Sequence, residues 1–247
     1  MVYASLPSIR GRVSYRARAD GTEWGFEEWR ITRDADGTRT LTAHCEMTFT
    51  GSGSGAGAGE TVIRDSVISV LSDFHPRDAY VRIMRNGHLT GTGWFLFTDD
   101  EATCESWNAD NGRISQRMAI TRPIRGFGIH AVQGDGWLGA TFPYDEGPGH
   151  TQFFGRNLLH SLHHFGATGP YIVTSGSGLQ YVGPETVTVP AGTFDCHRIR
   201  FVGLANQHPD YDMLLSADGD FLYVKGVVQG YMDSEFILES LTREHGA

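Results

Sequence analysis

His160, His163 and His164 stand at i, i+3 and i, i+4 spacing, so on a helix His160 shares a face with either partner. Two imidazoles one turn apart can hold a transition metal when a third ligand arrives from a loop. His130, Asp145 and His150 lie just upstream. No His-Glu-x-x-His pattern accompanies them, and the expectation is neither a metal nor an organic cofactor. Acid/base work or ligand contact by His163 and His164 is the chemistry left to this segment. A solvated helix face is the plain alternative.

A second constellation is His208-Pro209-Asp210-Tyr211-Asp212. A Tyr–Asp–His group inside an apolar barrel can move a proton, because desolvation lifts a carboxylate toward neutrality. Alternation along a strand puts Asp212 on the side of Asp210 and Tyr211 on the other. His75 lies between Asp73 and Asp78, where carboxylates favour its charged form; an ordinary polar turn accounts for the same residues. Arg198 and Arg200 share one strand face, and Arg82 shares another with Tyr80 and Met84. Turned inward, Arg82 and Arg200 would hold a carboxylate or enolate oxygen; turned outward, they are solvent charges. Trp94, Trp107, Phe127, Trp137 and Tyr144 are the aromatics expected to wall a ligand. Ser161 is not in a Gly-x-Ser-x-Gly elbow, which argues against a serine hydrolase. No dinucleotide fingerprint follows a strand, and the glycine run 51–59 lacks the Lys-Ser/Thr of a phosphate loop.

The elements that must position these groups are strands. Leu41, Ala43, Cys45 and Met47 alternate with Thr42, His44, Glu46 and Thr48 in a period of two. Asp20-Gly21, Asp36-Gly37, Asn86-Gly87, Asn111-Gly112 and Asp218-Gly219 fall between such runs and supply the positive φ that tight hairpins need. The series is broken near 155–166, where Leu158, Leu159, Leu162 and Phe165 have helical spacing and predict one principal helix lying across the barrel mouth. The fold class expected is all-β, mainly antiparallel: a lipocalin-like β-barrel or strongly curved sheet, in one domain over 1–247.

Of 247 residues, 40% are hydrophobic and 20% charged, with a net charge of −9. That balance suits a globular core and opposes nucleic acid or an anionic membrane as partners, which need a basic face. Cys45, Cys104 and Cys196 are too dispersed for a disulfide framework or a zinc site. The first residues lack a basic segment followed by an apolar one, and no apolar run approaches membrane-spanning length. The expectation is a cytoplasmic protein, with a homodimer left open.

The stretch Glu185-Thr186-Val187-Thr188-Val189-Pro190-Ala191-Gly192-Thr193-Phe194-Asp195-Cys196-His197-Arg198-Ile199 precedes Tyr211-Asp212-Met213-Leu214-Leu215-Ser216 and Phe221-Leu222-Tyr223-Val224-Lys225. This order resembles uncharacterised bacterial lipocalin-like, open-barrel families of unknown function, mainly over residues 180–228. The resemblance implies fold rather than chemistry. The function expected is that of a cofactor-independent lyase, isomerase or hydratase, using acid/base groups on a small hydrophobic or aromatic molecule in the barrel. The alternative is a non-catalytic carrier or sensor of such a ligand. His, Asp and Tyr converging in one cavity would favour the enzyme, and a wholly apolar cavity the carrier.

Overall fold

The computed structural model describes residues 6–49, 59–120, 124–154, 157–163, 165–203, 210–229 and 233–245. The first half is a run of hairpins: β1 (Ser8–Ala17), β2 (Glu23–Arg33), β3 (Arg39–Thr48), β4 (Thr61–Val70), β5 (Pro76–Arg85), β6 (His88–Phe97), β7 (Glu101–Asn108) and β8 (Gly112–Ala119). A compact irregular region follows, with β9 (Phe127–Gly128), α1 (Val132–Leu138), β10 (Thr151–Phe153), β11 (Asn157–Leu159) and β12 (Val173–Ser175). The chain ends in β13 (Gly178–Val189), β14 (Gly192–Val202), β15 (Tyr211–Ser216), β16 (Tyr223–Val228) and β17 (Ser234–Glu244). Asn86 and Gly87 both take positive φ at the β5–β6 turn, as the Asn-Gly pair predicts.

Fourteen strands form one sheet in the order β10-β13-β14-β15-β16-β17-β1-β2-β3-β4-β5-β6-β7-β8. Every neighbouring pair in it is antiparallel, and β1 joins β17, so both chain ends meet near the middle. The sheet curves strongly into a β-barrel-like form, and its outermost strands β8 and β10 do not pair with each other. A small second sheet, β12-β11-β9, lies apart from it. The core holds the inward side chains of the strands, among them Val13, Leu41, Val81, Phe95, Leu215 and Leu238.

The helix is not where the apolar spacing predicts it. Residues 157–159 form β11, parallel to β9 and antiparallel to β12, and the described residues 160–163, 165 and 166 are bends, turns and irregular backbone. A segment this short gains little from helix formation alone, whereas pairing on both sides buries Leu158 completely and leaves Leu162 at 62% exposure. α1 is the only α-helix among the described residues, and its sequence, Val-Gln-Gly-Asp-Gly-Trp-Leu, has poor intrinsic propensity. Tertiary contacts hold it. Ala131 gives its N-terminus no side-chain cap; instead Glu27, on β2, accepts the backbone N–H groups of Val132 (2.9 Å) and Gln133 (3.1 Å). Its two glycines permit close packing. A Cβ at Gly134 would lie 2.7 Å from Ile129 Cγ2, and one at Gly136 would lie 2.7 Å from the Phe221 carbonyl.

Candidate functional site

Inside the curve of the sheet is a cavity of about 420 Å³. Its deep wall carries Tyr15 from β1, Met47 from β3, Arg64 from β4, Asp135 from α1 and Tyr211 from β15. Nearer the surface are Leu159, Leu162 and Thr174, with Ser175 and Ser177 adding hydroxyls. Leu162, Thr174, Gly176 and Gly203 are exposed and mark the open side.

Strand register builds the polar floor. Glu27 pairs with Cys45 across β2–β3, and Cys45 pairs with Arg64 across β3–β4, so the three stand side by side on the inner face. Arg64 is 2% exposed and Glu27 0%, and each neutralises part of the other's cost of burial. The Nη1 and Nη2 groups of Arg64 donate to the backbone carbonyls of Phe165 and His130. Glu27 receives the Tyr15 hydroxyl at 3.1 Å besides the two amides of α1. Burial raises the Glu27 carboxyl, against the opposing pull of Arg64 and these donors.

Asp135 projects from the one face of α1 that is not sealed. Burial pushes its carboxyl up to about 7; repulsion from Glu27 adds to this and Arg64 opposes it. The Tyr211 hydroxyl lies 3.5 Å from Asp135 Oδ2 and 2.8 Å from the Tyr223 hydroxyl. Burial raises both phenols well above their ordinary range, so neither ionises near neutrality.

On the other side of Arg64, His130 Nδ1 and His160 Nδ1 are 3.2 Å apart with their rings edge to face. Burial, reinforced by Arg64, lowers His160 to about 3 and keeps it neutral. His130 carries a left-handed φ of 61°, which costs on the order of 1–3 kcal/mol for a non-glycine residue. Its carbonyl is one of the two that bind Arg64.

The structure places one of the described sequence-predicted residues, Tyr211, in the cavity wall. Asp212 faces the opposite way, where Arg198 (2.8 Å) and Arg200 (2.6 Å) hold it. Those guanidiniums overcome its partial burial and lower its carboxyl, the reverse of the rise expected from desolvation. Arg200 is therefore an outer-face partner of Asp212 and does not line the cavity. Arg82 is likewise outside, beside Asp65 at 3.6 Å. His163 packs on Phe165, whose backbone N–H its Nδ1 accepts at 3.3 Å, and it does not line the cavity. His164 lies outside the described residues. His75 pairs with Asp73 at 3.1 Å in the β4–β5 turn, away from the cavity.

The aromatics are also redistributed. Trp94 and Trp107 are exposed on the outer face, at 45% and 41%. Phe127 packs between Phe95 and Phe97 in the core. Trp137 points away from Asp135, its Nε1 donating to the Asp220 carbonyl at 3.3 Å. Tyr144 stacks on His197 at 3.8 Å and donates to the Gly139 carbonyl. Among the described residues no three His, Cys, Asp or Glu side chains converge as a metal-ligand set.

Asp135, Glu27 and Arg64 are the charged groups in and beneath the cavity that sequence reasoning missed. Glu27 and Arg64 each interrupt an inward strand face, the first between Gly25 and Trp29, the second between Val62 and Ser66. A lone charge in a buried register was the signal. For Asp135 it was the Gly-Asp-Gly-Trp sequence inside a region without strand alternation.

No protein-family model matches this sequence, and no curated protein matches it. Solved structures do show its fold. The chain is similar to the beta-barrel-like protein of Domain of Unknown Function DUF1849 from Brucella abortus, at 9% identity and TM-score 0.56, covering 97% of this chain and 98% of that one. A DUF1089 family protein from Pseudomonas aeruginosa matches at 10% identity and TM-score 0.49, over 83% of this chain and 90% of that one. A protein with YmcC-like fold from Bacteroides fragilis matches at 11% identity and TM-score 0.40, over 96% of each chain. The DUF1849 match extends the likeness of fold noted over residues 180–228 to 97% of the chain. No helix among the described residues is long and apolar enough to cross a membrane.

Proposed function

We propose that this chain binds a small, largely apolar molecule inside the curved sheet, with Asp135 as the polar group that meets it. The observation that carries this reading is the cavity itself: about 420 Å³, open on one side, with mainly apolar walls and one unsealed carboxyl at its base. Pockets of this size and lining bury most of a small ligand while a few polar groups fix its orientation. This is the carrier or sensor expected as the alternative from sequence, placed on different residues.

A thermal-shift screen of small aromatic and terpenoid molecules tests it, because a ligand that binds only the folded state raises Tm by mass action. Ligands found this way should lose their effect in Val228→Phe, which adds bulk to the cavity wall, and keep it in Trp94→Ser, on the outer face. A library that shifts nothing, or shifts both variants equally, overturns the reading.

A specific arrangement favours a second reading, acid/base catalysis: the Tyr211 hydroxyl lies 3.5 Å from Asp135, whose carboxyl burial pushes up to about 7. Bound molecules with an acidic C–H would then incorporate deuterium from heavy water on the wild-type protein and not on Asp135→Asn. Binding without exchange leaves the carrier reading alone.

A further inference from the structure

Five of the cavity's lining side chains are aromatic: Tyr15, Phe165, Phe201, Tyr211 and Phe236. They converge from β1, β14, β15, β17 and the segment after β11. Tyr15 and Phe236 meet edge to face at 4.8 Å, and Phe201 stacks on Tyr211 at 5.3 Å. Asp135 opens onto the same space and is the one acidic side chain in the lining. From the binding reading above, on which this rests, we infer that the occupant is an organic cation: a hydrophobic amine whose ammonium group sits against Asp135 among the aromatic rings.

Charge accounting in the site supports this choice. The groups that face Asp135 are Glu27 from β2, Arg64 from β4, Tyr211 from β15 and Tyr223 from β16. The phenols are neutral, and Arg64 and Glu27 balance each other. An ionised Asp135 therefore leaves the cluster one negative charge in excess, and an ammonium group restores neutrality. A carboxylate ligand would add a second uncompensated charge. Arg64 offers an anion little, since both Nη groups already hold backbone carbonyls. Its Nε has no hydrogen-bond partner among the described residues and is the point on Arg64 where an oxyanion could compete. Aromatic faces attract cations through their quadrupoles, and more strongly where water is excluded. Asp135 supplies the charge-assisted hydrogen bond.

Three probes that share one apolar body separate the cases: phenethylamine, phenethyl alcohol and hydrocinnamate. Titration calorimetry at pH 8 should show the amine binding about tenfold or more tightly than the alcohol, with hydrocinnamate weakest. The amine-to-alcohol ratio should fall toward unity below pH 6, where Asp135 keeps its proton, while the alcohol's affinity stays level. Asp135→Asn should remove the amine's advantage and leave the alcohol's affinity unchanged. The pH series on wild-type protein carries the test even if that variant does not fold. If hydrocinnamate equals or exceeds the amine, Arg64 Nε is the recogniser and the inference is wrong. An amine advantage that persists in Asp135→Asn or at low pH also overturns it. If the alcohol binds and the amine is no tighter, this inference falls while the binding reading stands. If none of the three binds at any pH, this inference falls, and the binding reading is decided separately by the thermal-shift library.

Discussion

Removing the charge of Asp135 should make the protein more stable at neutral pH and not at acidic pH. In the folded protein its carboxyl titrates near 7, against an ordinary aspartate value of 3.8 in the unfolded chain. The folded state thus binds more protons between those two values, and stability contributed by this group is full below the lower one and is lost as pH rises toward 7. The gap corresponds to about 4 kcal/mol at about 1.4 kcal/mol per pKa unit. From pH 5 upward only about two of those units remain to be crossed, at most about 2.7 kcal/mol. The carboxyl keeps an open side on the cavity, and solvent there screens part of that, so an observed change of about 1–2 kcal/mol between pH 5 and pH 8 is expected. Asp135→Asn abolishes this titration while keeping the size of the side chain. The assay is guanidinium unfolding of wild type and variant at pH 5, 6, 7 and 8. The variant's advantage should grow steadily up to pH 7 and level off by pH 8. Differencing the two proteins cancels the other carboxylates. A flat difference, or one that shrinks as pH rises, would show that Asp135 is not a buried, partly neutral acid, and the site argument would fail with it.

Three further outcomes follow from the same geometry. Glu27→Gln should destabilise by about 3–5 kcal/mol in chemical denaturation, because it leaves the Arg64 cation buried without its partner; a loss under 1 kcal/mol would mean Arg64 is satisfied by its carbonyl bonds alone. Gly136→Ala should cost about 1–3 kcal/mol by the same measurement, since the new Cβ meets the Phe221 carbonyl at 2.7 Å, which is backbone and yields poorly. Asp212→Asn should leave any ligand-induced thermal shift unchanged, because its arginine partners lie on the outer face; a lost shift would return Asp212 to the site.

Hairpins were legible because their determinants are local. An Asn-Gly or Asp-Gly pair between alternating runs sets both turn and register, and the β1–β2, β2–β3, β5–β6 and β7–β8 turns follow that rule. α1 was illegible because nothing local makes it. Its glycines oppose a helix, and its first amides are capped by Glu27, more than a hundred residues earlier in the chain. The converse error at 155–166 has the same origin: Leu158, Leu159, Leu162 and Phe165 have helical spacing, yet β9 and β12 offer Leu158 and Leu159 a pairing that periodicity cannot see.

The site shows what alternation withholds. It correctly sets Tyr211 and Asp212 on opposite faces but does not say which face looks inward; both were expected at one cavity, and only Tyr211 enters it. Counting charges against the apolar register resolves such ambiguities. Asp212 stands opposite Arg200 on the neighbouring strand, a pairing suited to a wet surface. Glu27 and Arg64 each stand in otherwise small or apolar inward faces, so both must be buried and must find partners inside. Their partners are structural: the amides of α1 for Glu27, and the carbonyls that join the His130 and Phe165 segments for Arg64. Once those two are committed to holding the fold, Asp135 is the remaining carboxyl in the cavity without a cation of its own. A group held in that state gains most from whatever brings it one, and on the binding reading proposed above this makes the cavity's floor, rather than its aromatic walls, the determinant of which molecule it would accept.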